Sequence, residues 1–325
     1  MASGYRHVTP EQRYVIWAMR KIGSTQQVIA DTVGVSKSTI SRELERNAGA
    51  RGYRHIQAHR KSQERQLYRT RNRRFTPEVR KLVEKQLRLD HSPEQIVGDC
   101  KTSGADCVSI ERIYQHVWQD KAAGGKLFIH LRTGHRRRRK RYGSKNTNGT
   151  IPNRRPISSR PKAVDDRKQF GHWEGDTMIG KNHKQALVTL VERTTRYVRI
   201  MRVTRKTAEG VTRACITLLG TDADCVRTIT TDNGKEFARH LEIEAGLNAQ
   251  VYFADPSSPW QRGTNENTNG LIRQYIPKSR PLESVTDKEI QRIEDRLNNR
   301  PRKNLNFKTP NEVYSNHKRR VALRN

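Results

Sequence analysis

Past Asp165 the apolar residues leave helical spacing and fall into short, β-branched runs separated by helical stretches. HWEGDTMIG, QALVTLVER and RYVRIMRVT read as three strands in succession, the last two joined across Thr194-Thr195. Thr207 then caps a helix, AEGVTRACITLLG. VRTITTD is a fourth strand, KEFARHLEIEAG a helix ending at Gly246, and QVYFAD a fifth strand. A helix beginning near Glu266 follows. So does DKEIQRIEDRLNNR, entered through a capping box at Thr286-Asp287-Lys288-Glu289. Three strands followed by alternating helices and strands describe one α/β domain over residues 166–325.

Three acidic residues stand at matching places in that pattern. Asp176 lies in the first strand, and Asp232 ends the fourth and enters an Asn-Gly turn. Glu266 follows a loop punctuated by Pro and Gly and opens a helix. The element order is that of the ribonuclease H fold, where one sheet end brings such a trio together. Three hard oxygen ligands suit two Mg2+ ions over a scissile phosphate, with Mn2+ as a substitute. Glu174, two residues from Asp176 on the same strand face, is a competing carboxylate, and Asp255 competes with Glu266. Asn269 and Arg273 lie three and seven residues beyond Glu266 on its helix face, where they contact phosphate or brace the carboxylate. Lys278 is a further phosphate candidate, while Trp173 and Trp260 read as core or loop anchors.

The charge identifies the phosphate's owner. Among 325 residues, 65 are Lys or Arg and 33 are acidic, a formal +32. Both halves are basic, which favours double-stranded DNA through counterion release. A purely ribosomal or chromatin-like role leaves the acidic trio unexplained. No apolar stretch reaches the 18 residues of a membrane span, and MASGYRHVTPEQR lacks a signal-peptide core. Cys100, Cys107, Cys215 and Cys225 form no CxxC pair and read as free thiols in a reducing, cytoplasmic and nucleoid-associated setting.

The N-terminal half reads as all-α. Thr9-Pro10-Glu11-Gln12 is a capping box that starts a helix running to about Lys21, which Gly23 stops. Ser24 is expected to cap TQQVIADTV, and Ser36 to cap KSTISRELERN, with Ile29, Val33, Val35, Ile40 and Leu44 facing inward. This is a helix-turn-helix pattern over residues 1–50 that turns Lys37, Ser38, Thr39, Ser41, Arg42 and Arg46 toward DNA. Residues 51–75 read as a basic linker or an extended helix. A second helical, helix-turn-helix-like domain spans 76–120, with starts at Thr76-Pro77-Glu78, Ser92-Pro93-Glu94-Gln95 and Ser109. Residues 121–165 form a basic linker. Arg136, Arg137, Arg138 and Arg139 make it a phosphate-tracking strap, and LFIHLR is locally ordered.

The stretches WEGD, TTDNGKEF, DPSSPWQRGTNENTNGLIRQYIPK and LNNRPRKNLNFKTPNEVY resemble the insertion sequence 30 family of DDE transposases, as does SKSTISRELERN. The resemblance implies a multidomain protein: helix-turn-helix modules followed by a ribonuclease H-like catalytic domain. It places the DDE triad, as catalytic and metal-binding residues, on Asp176, Asp232 and Glu266, and prefers Asp176 over Glu174. It implies binding of the element's terminal inverted repeats, strand cleavage and strand transfer, with a circular or end-joined intermediate. A homodimer or higher oligomer on paired ends is expected from the need to process two ends and a target together. Two other readings compete: an autorepressor with an inactive catalytic domain, which the intact trio disfavours, and a retroviral-type integrase. The latter carries an N-terminal His/Cys zinc module whose spacing is not found here.

Overall fold

The structure, a computed structural model, describes residues 7–71, 75–132, 151–181, 184–256 and 258–322. The chain divides into two compact units, Met1–Thr76 and Pro77–Asn325.

The first unit is helical. Helix α1 (Pro10–Lys21) opens on a complete capping box: Gln12 N–H donates to Thr9 Oγ1 at 3.2 Å, and Thr9 N–H donates to Gln12 Oε1 at 2.9 Å. Helix α2 (Gln26–Val33) is capped by Thr25, one residue past the expected Ser24, and ends at Gly34 with φ 71°. That left-handed turn, which suits glycine, redirects the chain into α3 (Lys37–Asn47), capped by Ser36. Ile16, Ile29, Ala30 and Ile40 are fully buried, with Val33, Val35 and Leu44 packed around them. Residues expected as a basic linker or extended helix form α4 (His55–Arg71), which packs on α1 and α3. This contact combines buried Ala58 and the His55 ring on Tyr14 and Trp17 with a polar cluster. Arg13 of α1 pairs with Glu43 of α3 at 2.7 Å, both buried, and reaches Ser62 of α4 at 3.1 Å.

The second unit begins with α5 (Pro77–Arg88), α6 (Pro93–Ser103) and α7 (Ile110–Ala122), with Ser92 and Ser109 as caps. Buried Asp90, in the left-handed region at φ 64°, ties these helices to the C-terminal part of the unit. It accepts from Tyr275 at 3.0 Å and bonds His130 Nδ1 at 2.8 Å and Arg296. The Phe307 ring lies where a side chain at Gly98 would sit, so that glycine permits the close approach. Of the basic stretch 121–165, LFIH forms a short 3-10 turn. Arg136, Arg137, Arg138 and Arg139 fall outside the described residues.

The sheet contains β1 (Arg155–Pro156), β2 (His172–Ile179), β3 (Ala186–Glu192), β4 (Val198–Val203), β5 (Thr228–Thr231) and β6 (Gln250–Phe253), in the order β1-β6-β5-β2-β3-β4. Strands β2, β3 and β4 form an antiparallel meander, and β5 and β6 continue it in parallel with β2. The helices are α8 (Ala208–Leu219), α9 (His240–Leu247), α10 (Gly263–Tyr275), α11 (Asp287–Asn298) and α12 (Pro310–Ala322). This is the expected ribonuclease H-like architecture, with β1 added at one edge.

Strand β3 is buried along its whole length because both faces are covered. Val188 and Leu190 pack with Val211, Leu219, Ile243 and Tyr314 on one face. Leu187 and Val191 pack with Ile272, Ile293 and Leu297 on the other. Helix α11 also covers the β4 edge. The Ile200 N–H donates to Glu294 at 2.6 Å and the Val198 N–H to Asn298 at 2.8 Å, blocking further strand pairing. The capping box at Thr286 is half made. Thr286 accepts the Glu289 N–H, but the Glu289 carboxylate is held by Arg280 at 2.7 Å.

Candidate active site

Sheet register sets the site. Strands β2 and β5 run parallel with Glu174 opposite Thr230. Two residues onward come Asp176 within β2 and Asp232 one residue past the end of β5. The Asp232 side chain is fixed by an Asx turn, accepting the Gly234 N–H at 3.1 Å. Both carboxylates converge on one cation. The Arg262 guanidinium lies 3.5 Å from Asp176 Oδ1 and 3.5 Å from Asp232 Oδ2.

Glu266 is carried by α10, whose placement depends on Glu174. The helix has no side-chain cap of its own at Arg262. Instead Glu174 Oε2 accepts the Asn265 N–H at 2.8 Å, and Asn265 Nδ2 donates to the Glu174 carbonyl at 3.0 Å. Glu174 is fully buried beside Arg193, 3.2 Å away. It is therefore a structural carboxylate and not a competitor of Asp176. Asp255 is also accounted for: its carboxylate accepts from Gln261 at 2.8 Å and closes the loop before α10.

Asn269 donates to Asp176 Oδ2 at 2.8 Å and accepts from Thr189 at 3.0 Å, so it braces the carboxylate. Glu266 and Asn269, three residues apart, share one side of α10. Asn269 touches Asp176, and Glu266 is exposed. Among the described residues no three His, Cys, Asp or Glu side chains form a metal-binding group. The donor chemistry nonetheless fits a hard divalent ion: Asp176 and Asp232 present oxygen to one positive centre.

Burial pushes the Asp176 carboxyl up to about 6; Arg262 opposes this, while Asp232 and Glu236 add to it. Glu236, in a motif the sequence did flag, was not singled out as a site residue. It is buried, accepts from Thr177 at 2.7 Å and pairs with Lys206 at 2.6 Å. Burial alone raises its carboxyl, but the Lys206 and Thr177 contacts outweigh that and hold it below its ordinary value. Glu236, Lys206 and Arg262 were missed because nothing local separates them from surface charges; only the fold brings them together.

Other candidates fare differently. Arg273 donates to the Ile179 carbonyl at 2.8 Å and anchors the end of β2. Lys278 is exposed. Trp173 is a core residue, 1% exposed, whereas Trp260 is 72% exposed and is no core anchor. In the N-terminal unit Lys37, Ser38, Ser41, Arg42 and Arg46 are exposed on α3. Thr39 is half-buried, its hydroxyl 2.9 Å from that of Ser36. No helix of the described residues is long and apolar enough to cross a membrane, and the four cysteines are unpaired.

Comparison with known proteins agrees with this architecture. The family model described as integrase core domain matches residues 166–259, and that described as helix-turn-helix domain matches residues 4–47. The transposase for insertion sequence element IS4351 of Bacteroides fragilis is 46% identical, covering 95% of this chain and 95% of that protein. The transposase InsI for insertion sequence element IS30C of Escherichia coli (strain K12) is 39% identical, covering 98% of this chain and 85% of that protein. Similarity of this extent through both units means that the chain belongs to the insertion sequence 30 (IS30) family of transposases, polynucleotidyl transferases with an integrase core domain.

Proposed function

We propose that this transposase binds the terminal inverted repeats of its insertion sequence and catalyses metal-dependent strand cleavage and strand transfer. The observation that carries this reading is the convergence of Asp176 and Asp232, from neighbouring parallel strands, on a single cation. Helix α10, which carries Glu266, is pinned beside them through Asn265 and Asn269. Asp176, Asp232 and Glu266 would hold two Mg2+ ions, or Mn2+ in their place. Bound there, the metal supplies activation of a water or 3′-hydroxyl and stabilisation of the leaving 3′-oxygen.

The chain's own residues prepare that chemistry. Asn269 fixes the orientation of the Asp176 carboxylate, and the Asx turn fixes that of Asp232. Glu174 holds α10 against β2. Exposed Lys37, Ser38, Ser41, Arg42 and Arg46 on α3, with Thr39 beside them, present the recognition surface. Lys278 and Arg136 to Arg139 add phosphate contacts. The helices at 76–120 add a second DNA-binding region, and the working unit is at least a dimer on paired ends. Mixing Glu266→Ala protein with a helix-turn-helix variant tests the dimer: restored cleavage supports it, and no rescue together with a monomeric mass on DNA contradicts it.

Labelled element ends incubated with Mg2+ test the catalytic reading. Asp176→Ala, Asp232→Ala and Glu266→Ala each abolish cleavage and joining while end binding stays near wild type. Normal cleavage by any one of them removes that residue from the site.

A further inference from the structure

A second site lies on the other side of α10. A cavity of about 320 Å³ opens there, lined by Arg167, Arg196 and Arg302 and by Thr264, Asn267 and Thr268 of the helix. Among the described residues no acidic side chain lines it. Helical geometry of 100° per residue puts Thr264, Asn267 and Thr268 on the side of α10 away from Glu266 and Asn269. The cavity is thus separated from the acidic pair by about one helix diameter, ~10 Å.

We infer that this cavity binds a backbone phosphate of the substrate DNA, other than the scissile one, and so holds the strand on α10 as the acidic site works. The inference rests on the DNA-processing role proposed above.

Three observations carry it. First, the guanidiniums are under-paired. The Nε atoms of Arg196 and Arg302 are buried with no hydrogen-bond acceptor. Among the described residues the Arg302 guanidinium donates to the Leu297 carbonyl at 3.2 Å and that of Arg196 to the Thr264 hydroxyl at 2.7 Å, both neutral groups. Burial first, then repulsion from Arg300, Arg132 and Arg196, pulls the Arg302 guanidinium down to about 9. An anion relieves that repulsion, and a phosphate matches the planar fork of Arg. Second, two of the lining arginines are held in the left-handed region, Arg196 at φ 63° and Arg167 at φ 53°. Non-glycine residues adopt it at a cost, and such strain concentrates at functional positions. Third, Arg132 reaches the same helix face, 3.5 Å from Asn267 Oδ1, adding positive charge beside the cavity.

The test uses the full chain and element-end duplexes in which one phosphate at a time is replaced by an uncharged methylphosphonate. Binding is read by fluorescence anisotropy. The variants are Arg167→Ala, at the exposed rim, and Arg196→Gln, with melting temperatures recorded as a check on folding. In the wild type one methylphosphonate near, but not at, the cleaved bond weakens binding. In both variants sensitivity at that position disappears, and the salt dependence of log K falls by about one. An unchanged methylphosphonate profile in a folded Arg167→Ala protein overturns the inference. Inorganic phosphate at matched ionic strength separates the sources. If it raises the wild-type melting temperature but not that of the variants, while no single DNA position responds, the cavity takes free phosphate and the DNA assignment is wrong. Failure of the catalytic reading shows separately, as wild-type protein that binds with this profile yet does not cleave with Mg2+.

Discussion

Glu174 Oε2 accepts the backbone N–H of Asn265 at 2.8 Å, so a buried strand carboxylate caps the helix that carries Glu266. The same carboxylate lies 3.2 Å from the buried Arg193 guanidinium. Glu174→Ala therefore leaves a buried Arg without this partner and a helix end without its acceptor. The expected loss of stability is about 3–5 kcal/mol, read by urea unfolding. A loss under about 1 kcal/mol contradicts the structural role given to Glu174.

Asp176 predicts a pH signature in metal-free protein. Its carboxyl is raised from 3.8 in the unfolded chain to about 6 in the fold. A raised acid favours folding in its protonated form. Its ionisation thus erodes stability progressively from about pH 4 to pH 6, and the loss is complete above that. Asp176→Asn removes this penalty. At pH 8 without metal it is stabilising by about 1–3 kcal/mol, and the gain vanishes below pH 4. Mg2+ stabilises the wild type and not the variant. Equal melting curves for the two proteins at pH 8 in chelator contradict the assignment.

Arg262 occupies the space between Asp176 and Asp232 that a metal ion needs. Removing its charge by Arg262→Gln should tighten Mn2+ binding in the absence of DNA, measured calorimetrically at pH 8. The expected change is several-fold, on the order of 1 kcal/mol, the upper end of the scale for solvent-screened ion pairs. Weaker Mn2+ binding by the variant shows instead that Arg262 supports the carboxylate pair.

Much of this was legible in the sequence, for local reasons. Caps at Thr9, Ser36, Ser92, Ser109 and Thr207 located their helices, because a capping side chain bonds only two or three residues ahead. Short β-branched runs located β2 to β4, and the motifs drew attention to Asp176, Asp232 and Glu266. What was not legible depends on distant partners. Strand β1 has two residues and exists only by pairing with β6. Residues 51–75 read as a linker or an extended helix, and only distant partners decide for packed α4: Ala58 is fully buried, His55 meets Tyr14 and Trp17, and Ser62 meets Arg13. The docking of α5 to α7 runs through Asp90, whose partners Tyr275 and Arg296 lie far along the chain. Glu174 and Asp176 share a strand face; the family resemblance already preferred Asp176, and α10 supplies the physical reason by taking Glu174 as its cap.

Recognition is testable on α3. Arg42→Ala and Lys37→Ala should weaken binding to the element end. A bidentate base contact predicts a sequence-selective loss of about 1–3 kcal/mol. A phosphate contact predicts a uniform loss and a salt slope smaller by about one. If residues 1–75 show no preference for the end over random DNA, the helix-turn-helix assignment is wrong. Ser36→Ala, which removes the α3 cap, should cost about 0.5–2 kcal/mol in thermal unfolding.

The central claim is that Asp176, Asp232 and Glu266 form one metal site on DNA. Mn2+ titration of the complex with element-end DNA, followed by electron paramagnetic resonance, reads it most directly. Wild-type protein should bind Mn2+ in the complex. Asp176→Ala, Asp232→Ala and Glu266→Ala should each lose that binding while holding DNA normally. Undiminished Mn2+ binding by Glu266→Ala would contradict the account, because α10 would then supply no ligand to the site.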